Sequence, residues 1–188
     1  MHLPMRTDRL TLRAYTTDDL DRFHAMFSDP HVVTYLYEEP LSREQAAEHL
    51  AKRLGSELPG EGTWLNLAVE RDGEMIGDVG ICVVSTAHKQ CEIGYVFMPA
   101  ASGNGYATEA ARAMVAVAFD DLGAHRVTGR LDARNEASAR LLERLGMRKE
   151  GHLRENEWVK GEWTDEIVYA ITEDEWCAAA GRLNSVQR

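Results

Sequence analysis

Little in this chain favours a disulfide, a metal or a membrane. Three cysteines stand in 188 residues, Cys82, Cys91 and Cys177, an odd count with no C-x-x-C among them. Two of the three fall in apolar strand patterns, and the set reads as reduced core thiols of a cytoplasmic protein. The seven histidines show neither an H-x-x-x-H pair nor Cys/His ligand spacing, so no metal site is expected. No apolar run approaches the roughly 20 residues that span a bilayer. Met1-His2-Leu3-Pro4-Met5-Arg6 has no apolar h-region, so a secretory signal is not expected either. Positive charge is scarce: 21 Lys and Arg against 31 Asp and Glu leave a net charge of −10. That balance opposes nucleic-acid binding, which needs a cationic face to displace counterions. It suits a cationic substrate weakly, and a merely solvated acidic exterior better. There is no repeat, linker or low-complexity segment, and the length fits a single domain over 1–188.

What is present alternates between strand and helix patterns. Arg9-Leu10-Thr11-Leu12-Arg13 reads as an opening strand. Thr17-Asp18-Asp19-Leu20 begins a helix with Leu20, Phe23, Met26 and Phe27 on one face, and Asp29-Pro30 stops it. Ser42-Arg43-Glu44-Gln45 is a capping-box pattern for a second helix to about Leu54, followed by a loop from Gly55 to Gly62. Thr63 to Glu70, Glu74 to Val84 and Gln90 to Phe97 read as an antiparallel meander. A helix over Ala107 to Leu122 and a strand over Arg126 to Asp132 follow. Asn135 caps a helix over 136–145 that ends at Gly146. Strands over 147–153 and 165–171 and a last short helix, capped by Thr172-Glu173-Asp174-Glu175, complete a mixed α/β arrangement on one sheet.

Gly103-Asn104-Gly105-Tyr106-Ala107-Thr108-Glu109-Ala110 is the most informative stretch. Glycines at a strand-to-helix junction leave N–H groups bare where a helix carries partial positive charge, which makes an anion site, most often for phosphate. A Walker string is absent, and Thr108 stands where a dinucleotide fingerprint needs its third glycine. From the two glycines alone, a tight loop with no ligand remains an equal reading.

The wider pattern resembles the GNAT superfamily of acyl-CoA-dependent N-acyltransferases, in particular the subgroup of ribosomal-protein N-terminal acetyltransferases. Arg6 to Arg13 resembles that subgroup's opening strand and Cys91 to Pro99 its central strand. Gly103 to Ala110 resembles its pyrophosphate loop, and Asn135-Glu136-Ala137-Ser138 with Leu141 to Gly146 its second cofactor motif. The resemblance implies an α/β fold with an about seven-stranded, mostly antiparallel sheet, splayed in the middle and flanked by helices. It implies acetyl-CoA as co-substrate, with no metal, and an amine-bearing small molecule or a protein N-terminus as acceptor. The backbone of Val96, Phe97 and Met98 would hold the pantetheine, with one of these N–H groups as oxyanion donor. Gly103, Asn104, Gly105, Tyr106, Ala107 and Thr108 would hold the pyrophosphate, and Asn135 a pantetheine amide. The subgroup's loop opens with a long Gln or Arg where this chain has Ser102, which leaves more to the backbone amides.

Amine acylation needs a neutral amine, an oxyanion donor and a partner for the departing thiolate. Glu92 is the candidate base: it shares a strand face with Gly94 and Val96, although a paired sheet-surface glutamate fits the pattern equally. Asp78 is the second candidate, with Gly77 and Gly80 beside it to admit a substrate. Ser138 is the candidate thiolate partner, against the plainer reading of a serine in a first helical turn. Many relatives place a tyrosine one turn later, where this chain has Leu142. Asn135 is explained by capping alone as well. Tyr35, Leu36 and Tyr37 fit a pocket wall or, preferably, core. Trp158, Trp163 and Trp176 fit a pocket rim, local packing or a subunit interface, which keeps a homodimer open. Glu155, Glu157, Glu162, Asp165 and Glu166 attract an amine or solubilise a hairpin. A non-catalytic acyl-CoA-binding or regulatory module is the alternative to an enzyme.

Overall fold

The computed structural model describes residues 1–55 and 57–186. The opening segment forms two short strands, β1 (Met5–Arg6) and β2 (Thr11–Arg13), instead of the one expected over Arg9 to Arg13. Between them the Thr7 N–H donates to the Leu10 carbonyl at 3.0 Å, so these residues are a turn. The sheet therefore has eight strands, against about seven expected.

Helix α1 (Leu20–Phe27) buries Phe23, Met26 and Phe27, the stripe of an amphipathic helix. Asp29-Pro30 ends it and at once begins α2 (Pro30–Val33). The Asp29 carboxylate accepts from the His31 N–H, and proline suits a first helical position. Ser42 and Gln45 form the capping box of α3 (Arg43–Ala51). The meander is β3 (Trp64–Arg71), β4 (Glu74–Ser85) and β5 (Gln90–Phe97). The chain then crosses through α4 (Tyr106–Asp120) to β6 (Arg126–Asp132). Helix α5 (Glu136–Arg144) leads into the hairpin of β7 (Arg148–Val159) and β8 (Glu162–Thr172), and α6 (Glu173–Val186) follows. Sheet order is β1-β2-β3-β4-β5-β6-β8-β7, and the β5–β6 pairing is the parallel one.

The last hairpin and α6 run longer than expected. Apart from Val159, residues 154–163 are charged, polar or exposed and show no apolar alternation, yet Glu157 pairs with Thr164 and Trp158 with Trp163. Backbone pairing does not require an apolar face. Glu155, at φ +49°, takes up the register slip between Leu153 and Glu157.

The sheet is covered on both faces. One face buries Leu67, Val79, Ile81, Ile93 and Val127 against Met114, Val115 and Ala118 of α4 and Leu141 and Leu142 of α5. The other buries Ala68 and Met75 against Phe23, Met26 and Phe27 of α1 and Ala46 and Leu50 of α3. Cys82 and Cys91 are free and buried, but Cys177 is exposed on α6, so the expectation of three core thiols fails for it. No helix among the described residues is long and apolar enough to cross a membrane.

One acid fastens the second face. Asp78 on β4 is 3% exposed, and its carboxylate accepts from Tyr15 Oη at 2.7 Å, Asn66 Nδ2 at 3.0 Å and Arg53 Nε at 3.2 Å. The Arg53 guanidinium lies 5.2 Å and 5.4 Å from the ring centroids of Phe23 and Phe27, so the end of α3 is tied to both the sheet and α1. Asp78→Ala is expected to lose about 3 kcal/mol in urea unfolding, the low end for a broken buried pair because Arg53 keeps some water access. A loss within 0.5 kcal/mol, about that of a neutral surface change, would show that this carboxylate fastens nothing.

Candidate active site

Strand β5 is paired on both sides for only three residues. Gln90, Cys91 and Glu92 match Arg126, Val127 and Thr128 of β6, and the two strands then part. Beyond Glu92, β5 keeps β4, with Gly94 opposite Gly80 and Val96 opposite Asp78, whereas β6 follows β8. The expected splaying of the sheet is therefore a divergence of two strands. It leaves the β6-facing edge of residues 93–97 without ladder partners, so its N–H and C=O groups are available to an extended, amide-bearing ligand. Helix α5 comes close to β6 because position 129 is glycine: a Cβ there would stand 2.8 Å from a Leu142 methyl. This close packing brings the head of α5 to the gap.

That head carries Asn135 and Ser138. Asn135 Oδ1 accepts from the Ser138 N–H at 3.0 Å, the expected cap. Ser138 Oγ lies 2.7 Å from the hydroxyl of Tyr95, which reaches it from β5 across the gap. Leu142 is 1% exposed and belongs to the core. Tyr95 was not singled out from the sequence, because strand alternation places its ring on the core side and nothing local shows the hydroxyl partner 43 residues away.

At the far end of β5 the glycine loop opens α4. Gly103 and Gly105 have φ of +78° and +79°, the left-handed region that favours glycine, and Gly105 is the N-cap. A Cβ at Gly103 would meet nothing within 4 Å, so the loop's outer side is clear for an anion over the free N–H groups of the first turn. Its inner side is held by Glu109, which accepts from Thr7 Oγ1 at 2.6 Å, Arg9 N–H at 2.9 Å and Arg9 Nε at 2.7 Å. Arg9 also donates to the Asn104 carbonyl at 2.9 Å, and its guanidinium lies 4.7 Å from the Tyr106 ring centroid. Ser102 is exposed, with its carbonyl accepting from Asn104 Nδ2. A further long cation beside the loop is Arg144 of α5, whose Nε donates to Thr108 Oγ1 at 3.2 Å and which, unlike Arg9, has no ion-pair partner among the described residues. Sequence reading missed Arg144, since only the packing of α5 beside α4 brings it to the loop.

On the sheet face that carries α1 and α3, a cleft of about 650 Å³ reaches the gap. Glu92, Val96, Asn135 and Ser138 all line it; Phe97, Met98 and the glycine loop do not. The Phe97 ring covers Gly77, and Met98 packs into the second core, so what these two offer is backbone. Gly80 does not open room for a substrate as expected: Trp64 and Asn66 fill it, and the Trp64 indole also covers Gly94. Trp64, 45% exposed, is thus a platform in the cleft beside Glu92. Tyr35 and Tyr37 are 40% and 66% exposed and line the cleft, correcting the preference for core; Leu36 packs against core. Trp158 and Trp163 form an exposed edge-to-face pair at the β7–β8 tip, whereas Trp176 stacks on Phe119.

The two acids on this face differ. Asp78 is saturated by three donors. Glu92 has no hydrogen-bond or ion-pair partner among the described residues, and burial pushes its carboxyl up from the usual range, with Arg130 opposing and Glu166 assisting. Arg130 is held away as the bidentate partner of Glu166, at 2.7 Å and 2.5 Å.

A sheet parted beside an unpaired carboxylate, with a glycine loop opening a helix at the end of the parted strand, is compatible with an acyltransferase. The chain belongs to the acetyltransferase (GNAT) domain family, whose model matches residues 9–148. It is similar to the uncharacterized N-acetyltransferase YoaA of Bacillus subtilis (strain 168), 33% identical over 169 residues that cover 89% of this chain and 95% of that one. Among solved structures it resembles a GNAT-family acetyltransferase from Bacillus anthracis, at a TM-score of 0.82 and 29% identity over 90% of this chain and 98% of that one. A spermidine N-acetyltransferase from Vibrio cholerae, in complex with CoA and spermine, shares the fold at a TM-score of 0.77 and 24% identity, over 91% of this chain and 99% of that one. The protein is accordingly an acetyltransferase enzyme, and acetyl-CoA is the co-substrate of its family.

Gly105→Ala forces an L side chain into the left-handed region at a cost of roughly 1–2 kcal/mol. Calorimetric titration is expected to show acetyl-CoA binding weakened by about tenfold, with the melting temperature lowered by roughly 2–8 °C. Unaltered affinity would place the anion elsewhere.

Proposed function

We propose that this enzyme transfers the acetyl group of acetyl-CoA to a primary amine by direct attack, with Glu92 as base and Ser138 as hydrogen-bond partner of the departing thiolate. The observation that carries this reading is the unpaired, half-buried Glu92 carboxylate at the point where β5 leaves β6. A lysine-type amine has a pKa of about 10.4 and must lose a proton before it attacks. A carboxylate with a raised pKa is a better base near neutrality than an exposed one. Glu92 takes that proton, directly or through a water. The free β5 edge near Val96 and Phe97 supplies N–H donors for the thioester carbonyl as negative charge develops. Ser138, at the head of α5, donates to the sulfur. Asn135 holds a pantetheine amide. The loop from Gly103 to Thr108, with Arg144 beside it in place of the missing long donor at Ser102, takes the pyrophosphate. Bound acetyl-CoA supplies the activated acyl group, and the chain's own contribution is placement, one proton transfer and two sets of donors.

The acceptor is an amine-bearing small molecule or a protein N-terminus. Glu38, Glu157 and Glu92 line the cleft together with the Trp64 and Tyr37 rings. Carboxylates and aromatic faces both favour an ammonium group over a neutral or anionic one.

Glu92→Gln tests the base. Its kcat/KM is expected to fall on the order of 100-fold. The folded protein should become more stable at the same time. A carboxyl raised above its unfolded value, about 4.3, opposes folding once ionised, so the wild-type penalty is absent below that value and grows as pH rises through the folded pKa. The variant's melting temperature should exceed that of wild type at pH 8 and match it at pH 4. An unchanged kcat/KM sinks the assignment of the base, whatever the melting curves show.

A further inference from the structure

We propose that Tyr95 is a positioning residue that turns the Ser138 hydroxyl toward the leaving sulfur. The inference rests on the role given to Ser138 above and adds to it a residue on the opposite wall of the gap.

Ser138 has one hydroxyl hydrogen, and it can point to Tyr95, back to its own helix or into the cleft. Tyr95 Oη lies 2.7 Å from Ser138 Oγ and 3.4 Å from the Ser138 carbonyl oxygen. Of two hydroxyls the more acidic one, here the phenol, is the better donor, so the phenolic hydrogen takes the 2.7 Å contact to Oγ and the carbonyl at 3.4 Å is the weaker second acceptor. Ser138 Oγ is then an acceptor from Tyr95, and its own hydrogen is left to donate elsewhere. No bond from Ser138 Oγ to a carbonyl of the preceding helical turn competes for it among the described residues. Both Tyr95 and Ser138 line the cleft, so the remaining direction is into the gap.

The phenol is suited to this task. Burial pushes Tyr95 up to about 12, with the Ser138 bond and Arg144 opposing, so it stays protonated across the working pH range. A phenolate would reverse the order and draw the serine's hydrogen to itself. With the phenol intact, the chain Tyr95 O–H to Ser138 Oγ–H to sulfur runs in one direction, and each bond polarises the next. No covalent bond changes at Tyr95, and no proton leaves it. Leu142 is buried against Gly129, so one turn further along α5 there is no hydroxyl to share the work.

The test reads the thiol itself. Free CoA is titrated in the enzyme while its thiolate absorbance is followed in the ultraviolet. Wild type is expected to lower the pKa of the bound thiol below the roughly 8.5 of a simple thiol. Tyr95→Phe, which keeps the ring, should raise it by about one unit and lower kcat about tenfold, with KM for both substrates within about twofold. Ser138→Ala should do at least as much, and the double variant no more than Ser138→Ala alone. Fluorotyrosine at position 95, a stronger donor, should lower the bound thiol's pKa further; it also decides the matter if Tyr95→Phe fails to fold. A Tyr95→Phe enzyme with wild-type kcat and thiol pKa, additive effects in the double variant, or no response to fluorotyrosine overturns the inference. Ser138→Ala with wild-type behaviour instead overturns the role of Ser138 from which the inference starts. Tyr95→Phe inert beside a damaged Ser138→Ala overturns the Tyr95 step alone.

Discussion

The structure depends on a pairing that stops. Two blocks of antiparallel sheet, β1 to β5 and β6 to β8, are joined by a ladder of three residues on each side. Had β5 and β6 stayed paired over their full lengths, the β5 edge would carry no free backbone groups, and the cleft would end at a closed sheet. Because the strands are parallel, their connection has to cross a face of the sheet, and α4 makes that crossing. The crossing starts at the carboxyl end of β5, so the N-terminus of α4 falls beside the opened edge. Ligands of open α/β sheets gather at such places for the same reason. The glycine loop's position and the free β5 edge are thus two consequences of one topological event.

Glycine makes the divergence possible, though not where a sequence reader would look. Gly129 admits Leu142, and through it the whole of α5, to β6. Gly80 and Gly94, opposite each other in the ladder, are roofed by Trp64. In both places the missing Cβ is filled by a neighbouring side chain and not by a substrate. The sequence shows that a close approach is required but not what approaches. That identity is fixed by packing between elements far apart in the chain.

This also separates what could be read in advance from what could not. The limits of β5 and β6 follow from local pattern alone, Gln90 to Phe97 and Arg126 to Asp132, and so do the caps at Ser42 and Asn135, whose partners lie within three residues. The candidates on those elements, Glu92, Asn135 and Ser138, all line one cleft. Tyr95, Arg144 and the exposure of Tyr35 and Tyr37 could not be read in advance, since each depends on a contact made by the tertiary fold. The extra strand β1 and the long β7–β8 hairpin escaped for another reason: they pair through backbone with little apolar burial, and periodicity has nothing to detect there.

Asp78 and Glu92 show how one sheet face can hold a saturated and an unpaired carboxylate on adjacent strands. The register sets Asp78 opposite Val96 and Glu92 opposite Cys82, so both acids project to the same side. Asp78 receives an arginine, a tyrosine and an amide and becomes a fastening. Glu92 receives none of these, and the reason lies with a third acid. Arg130 is near enough to Glu92 to be felt by it, but its fork is taken by Glu166, which Asn156 also binds at 2.9 Å. Were Arg130 free to turn, it would form an ion pair with Glu92, hold it ionised and depress its pKa, leaving a weaker base. The bidentate pair on the neighbouring strands therefore does more than join β6 to β8: it keeps the Arg130 fork from pairing with Glu92.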